Sequence, residues 1–118
     1  MKTPPKYGVI VYAKNVNALA QFYMDMFDMK PVRETPDFIS IANEGMNVVV
    51  HNPPIEIPEN HFNAVKMFIT VDSLVQARAR AIELGGSTLD GEWSNPIFKL
   101  CNIADPEGNH IQLREFMA

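Results

Sequence analysis

The chain has 118 residues, 47% of them apolar and 20% charged, with a formal net charge of −4. That is enough for one domain with a real core and too little for two ordinary ones, and the mix excludes a disordered chain. No basic run offers a footprint for a phosphate backbone, so nucleic acid is not an expected partner, and no apolar stretch is long enough to span a bilayer.

The opening MKTPPKYG lacks the apolar core of a signal peptide, which makes the cytoplasm the expected location. YGVIVYAK, residues 7–14, is rich in β-branched and aromatic side chains and predicts a first strand. A helix follows. Asn15 or Asn17 can cap it, and Val16, Leu19, Ala20, Tyr23, Met26 and Phe27 recur on one face at helical spacing. KPVRETP, DFISIAN and MNVVVHN read as three further short strands, the last two joined by a turn at Asn43-Glu44-Gly45. PPIEIPEN then places prolines at 53, 54 and 58. Each proline removes a donor and fixes φ, so residues 53–61 are expected to be a linker.

After the linker the plan restarts. AVKMFITV is strand-like, and Ser73 or Asp72 can cap a helix carrying Leu74, Ala77, Ala81 and Leu84 on one face. Gly85-Gly86 ends that helix, because glycine takes the left-handed conformation cheaply. STLDGEW, PIFKLCNIA and NHIQLREF supply the remaining strands. The lone cysteine, Cys101, lies in an apolar run with no CxxC partner, the pattern of a buried and inert thiol. Laid side by side, VIVYAKNVNALAQFYMDMFDMK and MFITVDSLVQARARAIELGGS repeat strand, cap and amphipathic helix in the same order. The prediction is an α+β fold, a single domain over 1–118 made of two βαβββ units at about 5–52 and 62–117. Neither unit can bury its helix-facing sheet surface alone.

Between the last two strands, DPEGN at Asp105 to Asn109 is a turn on structural grounds. Pro106 presets φ, Gly108 permits positive φ, and Asp105 and Asn109 can bond the local backbone. Together with the repeat, YAKNVNALAQFYMDMFDMKPV near the start and ADPEGNHIQL near the end, this turn resembles the vicinal oxygen chelate superfamily. That superfamily includes glyoxalase I, extradiol dioxygenases, fosfomycin-resistance enzymes and bleomycin-resistance proteins. The resemblance covers essentially the whole chain and implies a curved mixed sheet, a cup with the helices outside, and often a dimer.

The resemblance also implies four metal-ligand positions, usually His or Glu, on four strands pointing into the cup. They fall on Gly8, Val48, Lys66 and Gln112. Gly8 has no side chain, Val48 no donor atom, and Lys66 puts a cation where a dication would sit. At about 4 Å and an effective dielectric constant near 20, that repulsion costs about 4 kcal/mol per unit charge. On the last strand Ile111 and Leu113 fit the helix-packed side, which sends His110, Gln112 and Arg114 into the cup. On the fourth strand a slip brings in Asn47 or Val49, and His51 needs a three-residue slip. His51, His61 and His110 have no clear carboxylate partner, so no metal or other cofactor is expected.

Alternation lines the implied cup with Ile10, Tyr12, Val48, Val50, Lys66, Phe68, Gln112 and Arg114. That wall is apolar and aromatic with a few orienting polar groups, as in small-molecule sites. For Arg114, close to the C-terminus, a surface salt bridge is the expected role ahead of ligand contact. Trp93, in the predicted loop GEWSNP, is a lid or mouth residue or else part of the core. The leading expectation is a metal-free binding protein that sequesters a small molecule, working as a homodimer that covers open sheet edges. The alternatives are a metal-dependent lyase or dioxygenase with displaced ligands, a metal-independent enzyme using Lys66 or His110, and an interaction module.

Overall fold

The computed structural model describes residues 8–53 and 65–117. The chain divides into two compact units, 1–58 and 59–118. From Pro54 onward the expected linker lies outside the described residues, as do Tyr7 and His61.

In the first unit β1 (Val9–Tyr12), α1 (Val16–Phe27), β2 (Lys30–Glu34), β3 (Phe38–Asn43) and β4 (Met46–His51) follow in chain order. The sheet runs β1-β4-β3-β2, with β1 parallel to β4 and the other pairs antiparallel. Asn15 is the cap, since its side chain accepts the Ala18 N–H at 3.0 Å. The helix ends at Asp28, which takes a left-handed φ of 53°. Asn43, at the end of β3, donates its amide to the Phe27 carbonyl at 3.1 Å and so satisfies a helix-end acceptor. Leu19, Ala20, Tyr23 and Phe27 of the expected face are buried, joined by Phe22, while Val16 and Met26 are half-buried. The helix packs on β3 and β4, whose buried side chains are Ile39, Ile41, Val48 and Val50.

The second unit repeats this topology with β5 (Met67–Thr70), α2 (Leu74–Glu83), β6 (Ser87–Thr88), β7 (Trp93–Ser94), β8 (Phe98–Ala104) and β9 (His110–Phe116). Its order is β5-β9-β8-β6, with β7 also paired to β8, and again the first strand lies parallel to the last. Leu74, Ala81, Cys101, Ile103, Ile111 and Leu113 are its fully or almost fully buried core. The predicted strand STLDGEW is split into two short pieces. Gly91 sits between them at φ +110°, and a Cβ there would collide with the Trp93 ring. Trp93 itself lies on β7 rather than in a loop, and it is too exposed to be a core residue. Cys101 is buried, and that burial pushes its thiol pKa up, assisted by Glu92 and opposed by Arg78. Among the described residues no helix is long and apolar enough to cross a membrane.

Two groups start α2. Ser73 accepts the Gln76 N–H at 3.2 Å, and the Glu115 carboxylate on β9 accepts the Leu74 N–H at 2.7 Å. Lys99 Nζ stands 3.3 Å from the same carboxylate. The Leu74 hydrogen bond, helped by Lys99, holds the Glu115 carboxyl below its ordinary range despite some desolvation. A depressed folded-state pKa means the unfolded chain binds the proton more readily. The associated stability is therefore present at neutral pH and is lost as the pH falls through the folded-state value. Glu115→Gln is expected to lower the melting temperature at pH 7 and to flatten its decline toward pH 3. Thermal unfolding followed by circular dichroism across that range checks both effects.

Candidate functional site

Each sheet has one face covered by its helix and one turned away from it. In the first unit, pairing decides which residues share the far face. Ile10 pairs with Val49 and Tyr12 with His51, while Val49 and His51 pair in turn with Ser40 and Phe38. Ile10 and Tyr12 are exposed on this face. Val48 and Val50 are not on this face. They pair with Val9 and Val11 on one side and with Ile41 and Ile39 on the other, and both are 0% exposed beneath α1. The expected assignment of β4 is thus one residue out, and that slip exchanges its two faces.

The corrected register brings His51 onto the far face without a three-residue shift. Its ring stacks on Phe38 at 5.4 Å and meets Tyr12 edge-on at 6.2 Å. The Arg33 guanidinium lies 5.5 Å from the Phe38 centroid. His51 Nδ1 is 2.6 Å from the Asn52 carbonyl oxygen. A carbonyl only accepts, so Nδ1 carries the proton and Nε2 of the neutral ring is left as an acceptor.

The far face of the second unit is built in rungs. Phe68, Gln112 and Asn102 form the central one, and Thr70, Arg114, Leu100 and Trp93 form the next. On the other side, His110 pairs with Ala104, and Lys66 precedes Met67 at the same level of β5. Ile111 and Leu113 face the helix side with no exposure, so the register of β9 is the expected one. Phe68 and Trp93 are each 54% exposed.

Arg114 does more than sit at the surface. Its guanidinium carbon lies 3.7 Å from the Phe68 centroid and 4.5 Å from the Phe98 centroid. Its Nε donates to Gln112 Oε1 at 2.7 Å. The salt bridge considered for it is not formed with any described carboxylate. Contacts of a cation with ring faces are worth about 0.5–2 kcal/mol each, so the guanidinium is held in a fixed plane. Lys66 Nζ donates to Asn102 Oδ1 at 3.0 Å. Of the residues singled out in the sequence, Lys66, Phe68, Gln112 and Arg114 therefore gather on one face. Phe98 and Asn102 were missed, although their alternation with buried Cys101 and Ile103 marks them as residues of that face.

The metal-ligand positions implied by the resemblance do not suit a divalent ion. Gly8 packs so tightly that a Cβ would stand 3.0 Å from the Asn47 carbonyl oxygen, so a liganding side chain there requires the backbone to move. Val48 is under the helix, and its far-face neighbours are Asn47 and Val49. In the second unit Lys66 presents an ammonium, and the Gln112 oxygen is already engaged by a guanidinium. Among the described residues no group of three or more His, Cys, Asp or Glu is placed to hold a metal ion.

Comparison with known proteins fits this architecture. The family model described as a glyoxalase-like domain matches residues 8–114. A glyoxalase/bleomycin resistance protein/dioxygenase family enzyme from Burkholderia phytofirmans PsJN superimposes with a TM-score of 0.74 at 12% identity, over 92% of this chain and 95% of that one. A glyoxalase/bleomycin resistance protein from Albidiferax ferrireducens T118 gives 0.72 at 18% identity, over 94% and 98%. A genomically encoded fosfomycin resistance protein from Listeria monocytogenes gives 0.75 at 11% identity, over 98% and 94%. At such identities the likeness is one of fold. The comparison with curated proteins gives no match. With its α+β topology of two mixed sheets and a family model spanning nearly its whole length, the chain belongs to the glyoxalase-like family within the vicinal oxygen chelate superfamily.

Proposed function

We propose that this chain is a metal-free member of the family that binds and holds a small organic molecule. The observation that carries the reading is the far face of the second unit. There, exposed Phe68 and Trp93 surround polar groups already oriented by hydrogen bonds, Lys66 to Asn102 and Arg114 to Gln112. Apolar walls with a few convergent polar groups are the make-up of small-molecule sites. Of the two family ligand positions on this face, Lys66 carries an ammonium that repels a dication, and the Gln112 oxygen is engaged by Arg114.

An enzyme using Lys66 as a base has less support, because the partner of that ammonium is an amide oxygen, which takes no proton. A metal-independent enzyme is better served by His51, whose Nε2 is left as an acceptor by the Nδ1 contact with Asn52. We also propose that the protein acts as a homodimer. Every residue of the edge strand β2 is exposed, as are Val75 and Ile82 on α2. Light scattering coupled to gel filtration measures that mass directly.

The test of the main reading is metal analysis of the purified protein, followed by thermal shift with metals and with small organic compounds. The expected result is no stoichiometric metal, no large stabilisation by nickel, zinc or iron, and stabilisation by an organic ligand. A ligand at a hundred times its Kd adds about 2.7 kcal/mol. A stoichiometric divalent metal would overturn the reading.

A further inference from the structure

We infer that the far face of the second unit selects an organic acid, a carboxylate on a flat unsaturated body. This deepens the small-molecule-binding reading and rests on it. On one face of a β-strand, successive side chains stand about 7 Å apart. Lys66 therefore starts one rung before the central row of Phe68, Gln112 and Asn102, and Arg114 starts one rung after it. Both lean inward. Lys66 Nζ reaches Asn102 Oδ1 of the central row, and Arg114 Nε reaches Gln112 Oε1 of the same row.

Two cations thus reach the same row from opposite ends, Lys66 at Asn102 and Arg114 at Gln112 and Phe68. No carboxylate of the described residues forms an ion pair with either one. In a chain with a net charge of −4, a face whose charged side chains among the described residues are both positive is not the average composition of the surface. The uncharged members of the row are two primary amides and the exposed ring of Phe68. With Nε already donated, the remaining N–H edge of Arg114 matches the two oxygens of a carboxylate. The exposed rings of Phe68 and Trp93 offer flat apolar surface for the body of the same ligand.

Titration of the whole chain with 1-naphthoate and its neutral isostere 1-naphthamide, followed by calorimetry and amide NMR, tests this. The expected result is that the acid binds at least tenfold more tightly than the amide, since one charge-assisted hydrogen bond carries about that factor. The shifts should cluster on β5, β8 and β9. Lys66→Gln, at an exposed site that should leave folding intact, should reduce the preference about tenfold. Arg114→Lys, which keeps the charge and removes the fork, should also weaken the acid more than the amide. Arg80→Gln, on the exposed side of α2, should leave both affinities unchanged.

Equal binding of acid and amide would overturn the inference while leaving a small-molecule binder standing. So would a preference that survives Lys66→Gln, shifts confined to β1 and β4, or inorganic phosphate competing as strongly as naphthoate. Failure of both compounds to bind would overturn the inference as well. A stoichiometric metal, by contrast, strikes the binding reading itself.

Discussion

Val48→Asp should destroy the cooperative fold of the first unit, and Val49→Asp, one residue away, should be tolerated. Val48 is fully buried beneath α1, next to Val9 and Ile41. An aspartate there forfeits about 1.5–3 kcal/mol of apolar burial and adds a carboxylate with no partner among those neighbours. The effective penalty of an unpaired buried charge is itself several kcal/mol. Together these approach the whole stability of a domain, about 5–15 kcal/mol. Val49 is half-buried on the far face between Ile10 and Ser40, where a carboxylate can reach water. Its replacement should cost about 1 kcal/mol or less. Amide NMR dispersion and urea unfolding compare the two directly. Collapse of the Val49 variant with survival of the Val48 variant would show that the register of β4 is the other one.

That pair of valines also marks where the sequence stopped being legible. The double βαβββ plan, the glycine end of α2 and each helix cap to within two neighbouring candidates could be read because each rests on a local rule: helical period, a capping side chain, or a left-handed glycine. β9 was readable for the same kind of reason, since Ile111 and Leu113 alternate cleanly with Gln112 and Arg114. In β4 three consecutive valines satisfy either face, and only pairing with β1 and coverage by α1 break the tie. His51 was lost with that register. Arg114 was underrated because its contact with Phe68 joins β9 to β5, far apart in the chain and near only after the sheet forms, while Phe98 reaches it from the neighbouring β8. The short β7 was missed because two residues carry no periodicity, and its place depends on Gly91 making room for the Trp93 ring.

Asp105→Ala should be the most costly substitution outside the apolar core, at about 2–4 kcal/mol. The residue is only 2% exposed. Oδ1 accepts the N–H groups of Glu107 and Asn109 at 2.9 and 3.0 Å, and Oδ2 accepts the Asn109 amide at 2.8 Å. Alanine leaves three donors without their acceptor, and a partly buried donor left unmade costs about 1–3 kcal/mol, less where water can enter. Asp105→Asn keeps an oxygen for the two backbone donors but turns a second amide toward that of Asn109, so it should recover about half the loss. The turn holds more than itself, because Asp105 and Asn109 also exchange a backbone hydrogen bond at 2.9 Å where β8 passes into β9. Those strands set Asn102, Gln112 and Arg114 in register. If so, the alanine variant should lose affinity for a ligand of that face as well as stability. Urea unfolding at pH 7 measures the first effect. A cost below about 1 kcal/mol would mean that the backbone geometry of Pro106 and Gly108 alone holds the turn.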